Sequence, residues 1–126
     1  MPRPTPHEIA AAIAAIQDRV RDHWRIDLET YPAMPLGEAA ARERDAFLLT
    51  HASLHLSKQA GKVAGLIESI AHGGAFDRCG MEQQLGYTLI DILQLANLVG
   101  IDEYDFMAVL REWEEAATVA PAPLPR

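Results

Sequence analysis

Apolar side chains recur at helical spacing in four segments of the chain, and the first segment has the clearest beginning. Thr5 can cap a helix, Pro6 suits its first position, and Glu8 stands three residues after Thr5, as in a capping box. The apolar positions that follow are spaced by three or four residues, which places them on one helix face. They are Ile9, Ile13, Ile16, Val20 and Trp24.

A second and longer helical pattern follows a connection at residues 31–37, where two prolines and a glycine interrupt the periodicity. The pattern then covers residues 38–71, as one helix or as two helices in line, because it exceeds the usual length of about 8–20 residues. Gly61 and Gly65, four residues apart, favour the close approach of another helix. The apolar stripe consists of Leu49, Ala52, Leu56, Ala60, Val63, Ile67 and Ile70.

Two further helices are predicted after a loop that begins with a His-Gly-Gly sequence. The third helix covers residues 81–99 and stops at Gly100, and the fourth is capped by Asp102. The third helix is expected to turn Leu85, Leu89, Ile92, Leu93 and Ala96 inward, with a polar stripe of Gln84, Tyr87, Asp91 and Gln94 on the opposite side. The stripe of the fourth helix is Phe106, Leu110 and Trp113.

The fold class that follows is all-α, a bundle of four to five helices, because no segment has the alternating pattern of a strand. Residues 1–117 form a single helical domain in this interpretation. Residues 118–126 contain three prolines and no periodicity, and are expected to form a mobile tail.

The charge, the cysteine content and the apolar runs of the chain disfavour several classes of function. The chain has 18 acidic and 11 basic residues and a formal net charge of −7, which disfavours general nucleic-acid binding and anionic membranes. A single cysteine, Cys79, excludes an intrachain disulfide. No apolar run reaches the roughly 20 residues that span a bilayer. We therefore expect a cytoplasmic protein without membrane partners.

One polar stripe on the long helix could carry chemistry. His51, His55, Lys58 and Lys62 share a face, which is either solvated or an anion site. The two histidines could also chelate a metal, because residues four apart share a helix face. Two ligands do not complete a site, and His72 or Cys79 would have to contribute, so no metal site is predicted.

On the third helix, Asp91 stands among apolar residues, and a carboxylate there needs a cation. Lys58 or Lys62 of the preceding helix is the expected partner if the two helices pack antiparallel. A structural ion pair and a place in a ligand pocket both fit this arrangement.

Three segments together resemble a known family. Residues 56–64 (LSKQAGKVA), 84–90 (QLGYTLI) and 95–102 (LANLVGID) resemble the MazG-like branch of the all-α nucleoside triphosphate pyrophosphohydrolases. The resemblance covers residues 47–115. It implies a bundle completed by a second subunit, as a homodimer or tetramer, and cleavage of nucleoside triphosphates to monophosphate and pyrophosphate.

The family holds magnesium between two carboxylate pairs, each spaced i, i+3, on neighbouring helices. The positions of this chain that match the first pair are Gln59 and Lys62, and those that match the second are Gln84 and Tyr87. None is a carboxylate, and the ammonium of Lys62 opposes a cation. No cofactor is predicted, and magnesium would be required only if the chain were an enzyme.

Three hypotheses follow. The first is a catalytically silent MazG-like module that either binds a nucleotide or another phosphorylated small molecule or serves as an oligomeric scaffold. Its candidate ligand-binding residues are Lys58, Gln59, Lys62, Gln84, Tyr87, Asp91, His51 and His55. The second is an active pyrophosphohydrolase whose metal site is rebuilt from Asp91, Glu68 or Glu82. The third is a helical protein-interaction module of unrelated origin.

Overall fold

The computed structural model describes residues 2–119, and this part of the chain is helical without any strand. The long second pattern is one continuous helix of 31 residues, entered through a short 3-10 helix at Glu38–Ala40. The helices are α1 (Pro6–His23), α2 (Ala41–Ala71), α3 (Arg78–Val99) and α4 (Glu103–Val119). Thr118 and Val119, assigned from sequence to the tail, still belong to α4, and residues 120–126 lie outside the description.

Side-chain caps set where three of the helices begin. The Thr5 hydroxyl accepts a hydrogen bond from the Glu8 backbone N–H at 3.2 Å, and the Asp102 carboxylate accepts one from Tyr104 at 3.0 Å. Asp77 caps α3 by accepting from the Gly80 N–H at 2.9 Å. Because of this cap, α3 begins three residues earlier than the predicted boundary.

Helix α3 lies at the centre of the fold. It packs against α2, to which a six-residue connection joins it as an antiparallel hairpin, and it also packs against α1, while α4 packs on α1. None of the described helices is by itself long and apolar enough to cross a membrane. The pair α3 and α4 would pass such a test jointly, but with a bend of 116° between them.

The LANLVGID segment forms the corner between α3 and α4 and ties it to α1. Gly100 has a φ of +75° and ends α3, and the Ile101 N–H returns to the Ala96 carbonyl at 2.9 Å. The Asn97 amide donates to the Gln17 carbonyl at 3.0 Å, and the Gln17 side chain donates to the Ile101 carbonyl at 2.9 Å. The LANLVGID segment therefore stabilises the α3–α4 corner and connects it to α1.

The orientation predicted for α3 is wrong along most of its length. Asp91 and Gln94 of the predicted outer stripe are buried, whereas Leu85, Leu89 and Ile92 of the predicted inner stripe are exposed to 53%, 50% and 39%. Only the C-terminal part of the inner stripe, Leu93 and Ala96, is buried as expected. The reason is that α2 covers the polar side of α3 and leaves Leu85, Leu89 and Ile92 exposed within residues 2–119.

The total accessible surface shows how incomplete this core is. It is 9701 Å², whereas a compact monomer of this mass exposes about 6,700 Å². Within residues 2–119, no large side chain is fully buried.

The amide bridge between α1 and the α3–α4 corner can be tested by Asn97→Ala. We expect a loss of about 0.5–1.5 kcal/mol in the free energy of unfolding, because the bond from the Asn97 amide to the Gln17 carbonyl is lost while that carbonyl keeps its helical bond within α1. Urea denaturation followed by circular dichroism measures the change. Gln83→Ala, at an exposed position on the same helix, is the matched control. Equal stabilities of the two variants would contradict this role.

Candidate functional site

The interface between α2 and α3, here called the seam, is lined by polar side chains. Gln59 lies on α2, and Gln84, Asp91 and Gln94 lie on α3. Each has a side-chain oxygen that is buried and accepts no hydrogen bond from any residue in 2–119. Buried acceptors without donors cost free energy, so their concentration along one helix interface marks the seam as the candidate site.

Near one end of the seam, two histidines meet in an aromatic cluster. The Nε2 atoms of His51 and His55 are 3.1 Å apart. Phe47 stacks on the His51 ring at 5.9 Å between centroids, and Tyr31 meets the same ring edge-on at 4.6 Å. Trp24 meets the His55 ring edge-on at 5.9 Å. Aromatic contacts on both rings therefore restrict their orientation.

The connection after α1 supplies two walls of this cluster. The Trp24 indole N–H donates to the Tyr31 hydroxyl at 2.7 Å, which fixes the two rings relative to each other. A cavity of about 390 Å³ opens onto His51 and His55 and is also lined by His23 and Thr30. The histidine pair can therefore be reached from solvent although both side chains are half-buried.

Burial shifts the pKa of two groups in this region. It lowers the pKa of His51, and the neighbouring His55 lowers it further, so the neutral imidazole is favoured. Burial raises the pKa of the Asp91 carboxyl, and the charge of His55 partly offsets this effect. His55 and Asp91 therefore lie near each other across the seam.

The ion pair expected between Asp91 and a lysine of α2 is absent. Lys58 and Lys62 are exposed, and neither forms an ion pair within the described chain. Lys62 and Gln84 instead line one cavity of about 360 Å³, whose wall also includes Asp77, and Tyr87 is exposed. The predicted stripe is therefore divided into half-buried histidines and solvated lysines.

Neither residue considered as a third metal ligand approaches the histidine pair. His72 is at the far end of α2, where it pairs with Glu68 at 3.5 Å, and Cys79 is exposed on α3 beyond the loop. In the part of the chain covered by the structure, no three histidine, cysteine, aspartate or glutamate side chains are grouped closely enough to hold an ion.

Sequence reasoning did not identify the aromatic residues Trp24, Tyr31 and Phe47 as members of the site. For Phe47 a signal was present, since Phe47, His51 and His55 are spaced four residues apart on one helix face. Trp24 was assigned to the apolar stripe of α1, and no periodicity links Tyr31, in a proline-containing connection, to either helix.

Comparisons with protein families, curated proteins and solved structures give no match to this chain.

The buried carboxyl of Asp91 generates a pH-dependent prediction. The folded state raises its pKa above the ordinary 3.8. A raised pKa favours the protonated form, so stability is retained below pH 3.8 and lost as pH rises through the folded-state pKa. We expect Asp91→Asn to be more stable than wild type at neutral pH, with the difference disappearing in acid.

Urea denaturation at several pH values, in the presence of a chelator, measures this difference. Asp45→Asn, at an exposed position on α2, is the control for a general change in charge. An Asp91→Asn variant that gains nothing at neutral pH, or gains most in acid, would show that Asp91 is not held in an unfavourable environment.

Proposed function

We propose that this chain is a non-catalytic, MazG-like assembly module whose core is completed by a second copy of itself. The observation that carries the proposal is a set of apolar side chains on the α2–α3 hairpin that residues 2–119 leave exposed on α3 and exposed or half-buried on α2. We call this surface the hairpin face. Its members are Leu56, Val63 and Ile67 of α2 and Leu85, Leu89 and Ile92 of α3.

Helix geometry places the α2 residues and the α3 residues of the hairpin face on the same side of the α2–α3 hairpin. At 100° per residue, Leu56 lies 100° around α2 from His55, and Ile92 lies 100° around α3 from Asp91. His55 and Asp91 both face the seam. Because the two helices are antiparallel, equal rotations from the seam lead to the same side of the hairpin. Two hairpins packed by these faces would form a four-helix core.

The apolar character of the hairpin face fits a permanent interface better than a transient one, because obligate homodimer interfaces are the more hydrophobic class. In a twofold dimer the same apolar surface of each copy faces the other, so one exposed face on the chain is enough to form the interface.

The residues present do not support hydrolysis at the positions where the family binds magnesium. Gln59, Gln84 and Tyr87 carry no charge that would attract the ion, and Lys62 carries the wrong charge. Asp91 belongs to no group of three histidine, cysteine, aspartate or glutamate side chains that could hold an ion within residues 2–119. A scaffold role is therefore favoured over a relocated metal site.

The geometry also favours a scaffold over a phosphate-binding module. Lys62 lines a cavity, but the Asp77 carboxylate that caps α3 lines the same cavity and repels an anion. Lys58 is not among the residues that line it. With a net charge of −7, the chain offers no compensating field.

The assembly proposal is tested by Leu89→Glu, in the middle of the hairpin face. We expect the wild-type chain to be a dimer or tetramer and the variant to dissociate to monomers, because a buried charge in the interface is unpaired. Sedimentation equilibrium measures the mass. Val109→Glu, an exposed apolar position on α4, should keep the wild-type mass. A monomeric wild-type chain would contradict the proposal.

The non-catalytic part is tested separately with nucleoside triphosphates. We expect no magnesium-dependent release of pyrophosphate from the wild-type chain, and chelator-sensitive release would overturn this part. The variant Gln59→Glu/Lys62→Glu/Gln84→Glu/Tyr87→Asp should gain a magnesium-dependent rise in melting temperature that the wild type lacks. If a folded variant shows no rise, the MazG-like relation is contradicted while the assembly proposal stands.

A further inference from the structure

We propose that His51 and His55 bind one late first-row divalent ion, Zn²⁺, Ni²⁺ or Cu²⁺, through their Nε2 atoms. The 3.1 Å between these atoms is the separation that such an ion requires. Two nitrogens at about 2.0–2.1 Å from a metal are about 2.9–3.4 Å apart for angles between 90° and tetrahedral. The separation therefore fits one shared ion, which both rings would bind once the donor ring turns its Nε2 lone pair toward the metal.

The surroundings hold the two rings in this arrangement. Phe47 and Tyr31 contact the His51 ring, and Trp24 contacts the His55 ring. Chelation gains affinity when the ligands are already positioned, since less side-chain freedom is lost on binding. In the apo pair, one Nε2 donates a hydrogen bond to the other, and on binding both rings carry their proton on Nδ1.

A second, independent observation favours a cation here. Asp91 is only 5% exposed, and its Oδ2 atom accepts no hydrogen bond from the described residues. It lies on α3, on the other side of the seam from the α2 histidines. A buried carboxylate without a partner is costly, and a divalent ion held by His55 would offset that cost. In this proposal Asp91 offsets the charge of the ion without coordinating it. Water molecules fill the coordination positions that the two histidines leave open.

Other charges around the cavity do not prevent binding. Arg25 lines the cavity, but its guanidinium is paired with Asp27 at 3.2 Å and Glu29 at 3.3 Å, so its charge is largely neutralised. His23 lines the opposite wall, where its Nδ1 atom lies 2.8 Å from the Arg19 carbonyl. Imidazole ligands select zinc, nickel and copper over magnesium or calcium.

The site is separate from the proposed assembly surface, because the hairpin face begins about 100° around α2 from His55. A result that contradicts metal binding therefore leaves the assembly proposal unaffected, and the reverse also holds.

Tryptophan fluorescence provides the test. The chain has two tryptophans, and the Trp24 ring is 5.9 Å from the His55 ring. In a Trp113→Phe/Cys79→Ser background, Trp24 is the only emitter and the exposed thiol cannot compete for metal. We expect Ni²⁺ to quench Trp24 in a saturable way, with one ion per chain, and Zn²⁺ to displace it.

Three variants in that background decide the outcome, with circular dichroism confirming that each is folded. His51→Gln and His55→Gln should each weaken Ni²⁺ binding at least tenfold, and His72→Gln, at the far end of α2, should leave it unchanged. Zn²⁺ should raise the melting temperature of the background protein but not of the His55→Gln variant. Quenching that does not saturate, or that survives both substitutions in the pair, overturns the proposal.

Discussion

The polar seam between α2 and α3 is the constraint on which the rest of the structure depends. Once α2 packs on the side of α3 that carries Asp91 and Gln94, the apolar stripe with Leu89 at its centre has to face away. Hydrophobic burial is the main favourable term in folding, so a chain that leaves this much apolar surface in water gains little stability alone. A second copy would supply the burial that the intrachain packing omits.

The helix boundaries were largely predictable because they are decided by local chemistry. Thr5, Gly100 and Asp102 act at the positions expected of them, since capping groups bond to backbone atoms within a few residues. The start of α3 was misplaced because the Asp77 cap was not recognised. Helix α4 extends two residues past the predicted boundary, through Thr118 and Val119.

The orientation of α3 could not be predicted in the same way. Periodicity identifies the residues that share a face, but it does not identify the neighbour that covers that face. The pattern predicts that Leu85, Leu89 and Ile92 are buried, because an apolar stripe on a helix usually packs against apolar residues of the same chain. The sequence predicted only part of the histidine cluster for a related reason. Tyr31 contacts His51 from a connection that has no helical periodicity, so no pattern in the sequence links the two residues.

The two ends of the seam have different chemistry, and this difference bears on which end could hold a divalent ion. Near the α2–α3 loop, Lys62, the neutral Gln84 and the Asp77 carboxylate line one cavity, so charges of both signs face it. Near the connection after α1, His55 and the unpartnered Asp91 offer nitrogen and oxygen. A carboxylate site at the first end would compete for a divalent ion with the proposed histidine site at the other. Gln59, Lys62, Gln84 and Tyr87 supply no carboxylate there, so in the proposed His51–His55 site the selectivity of imidazole would favour zinc, nickel or copper.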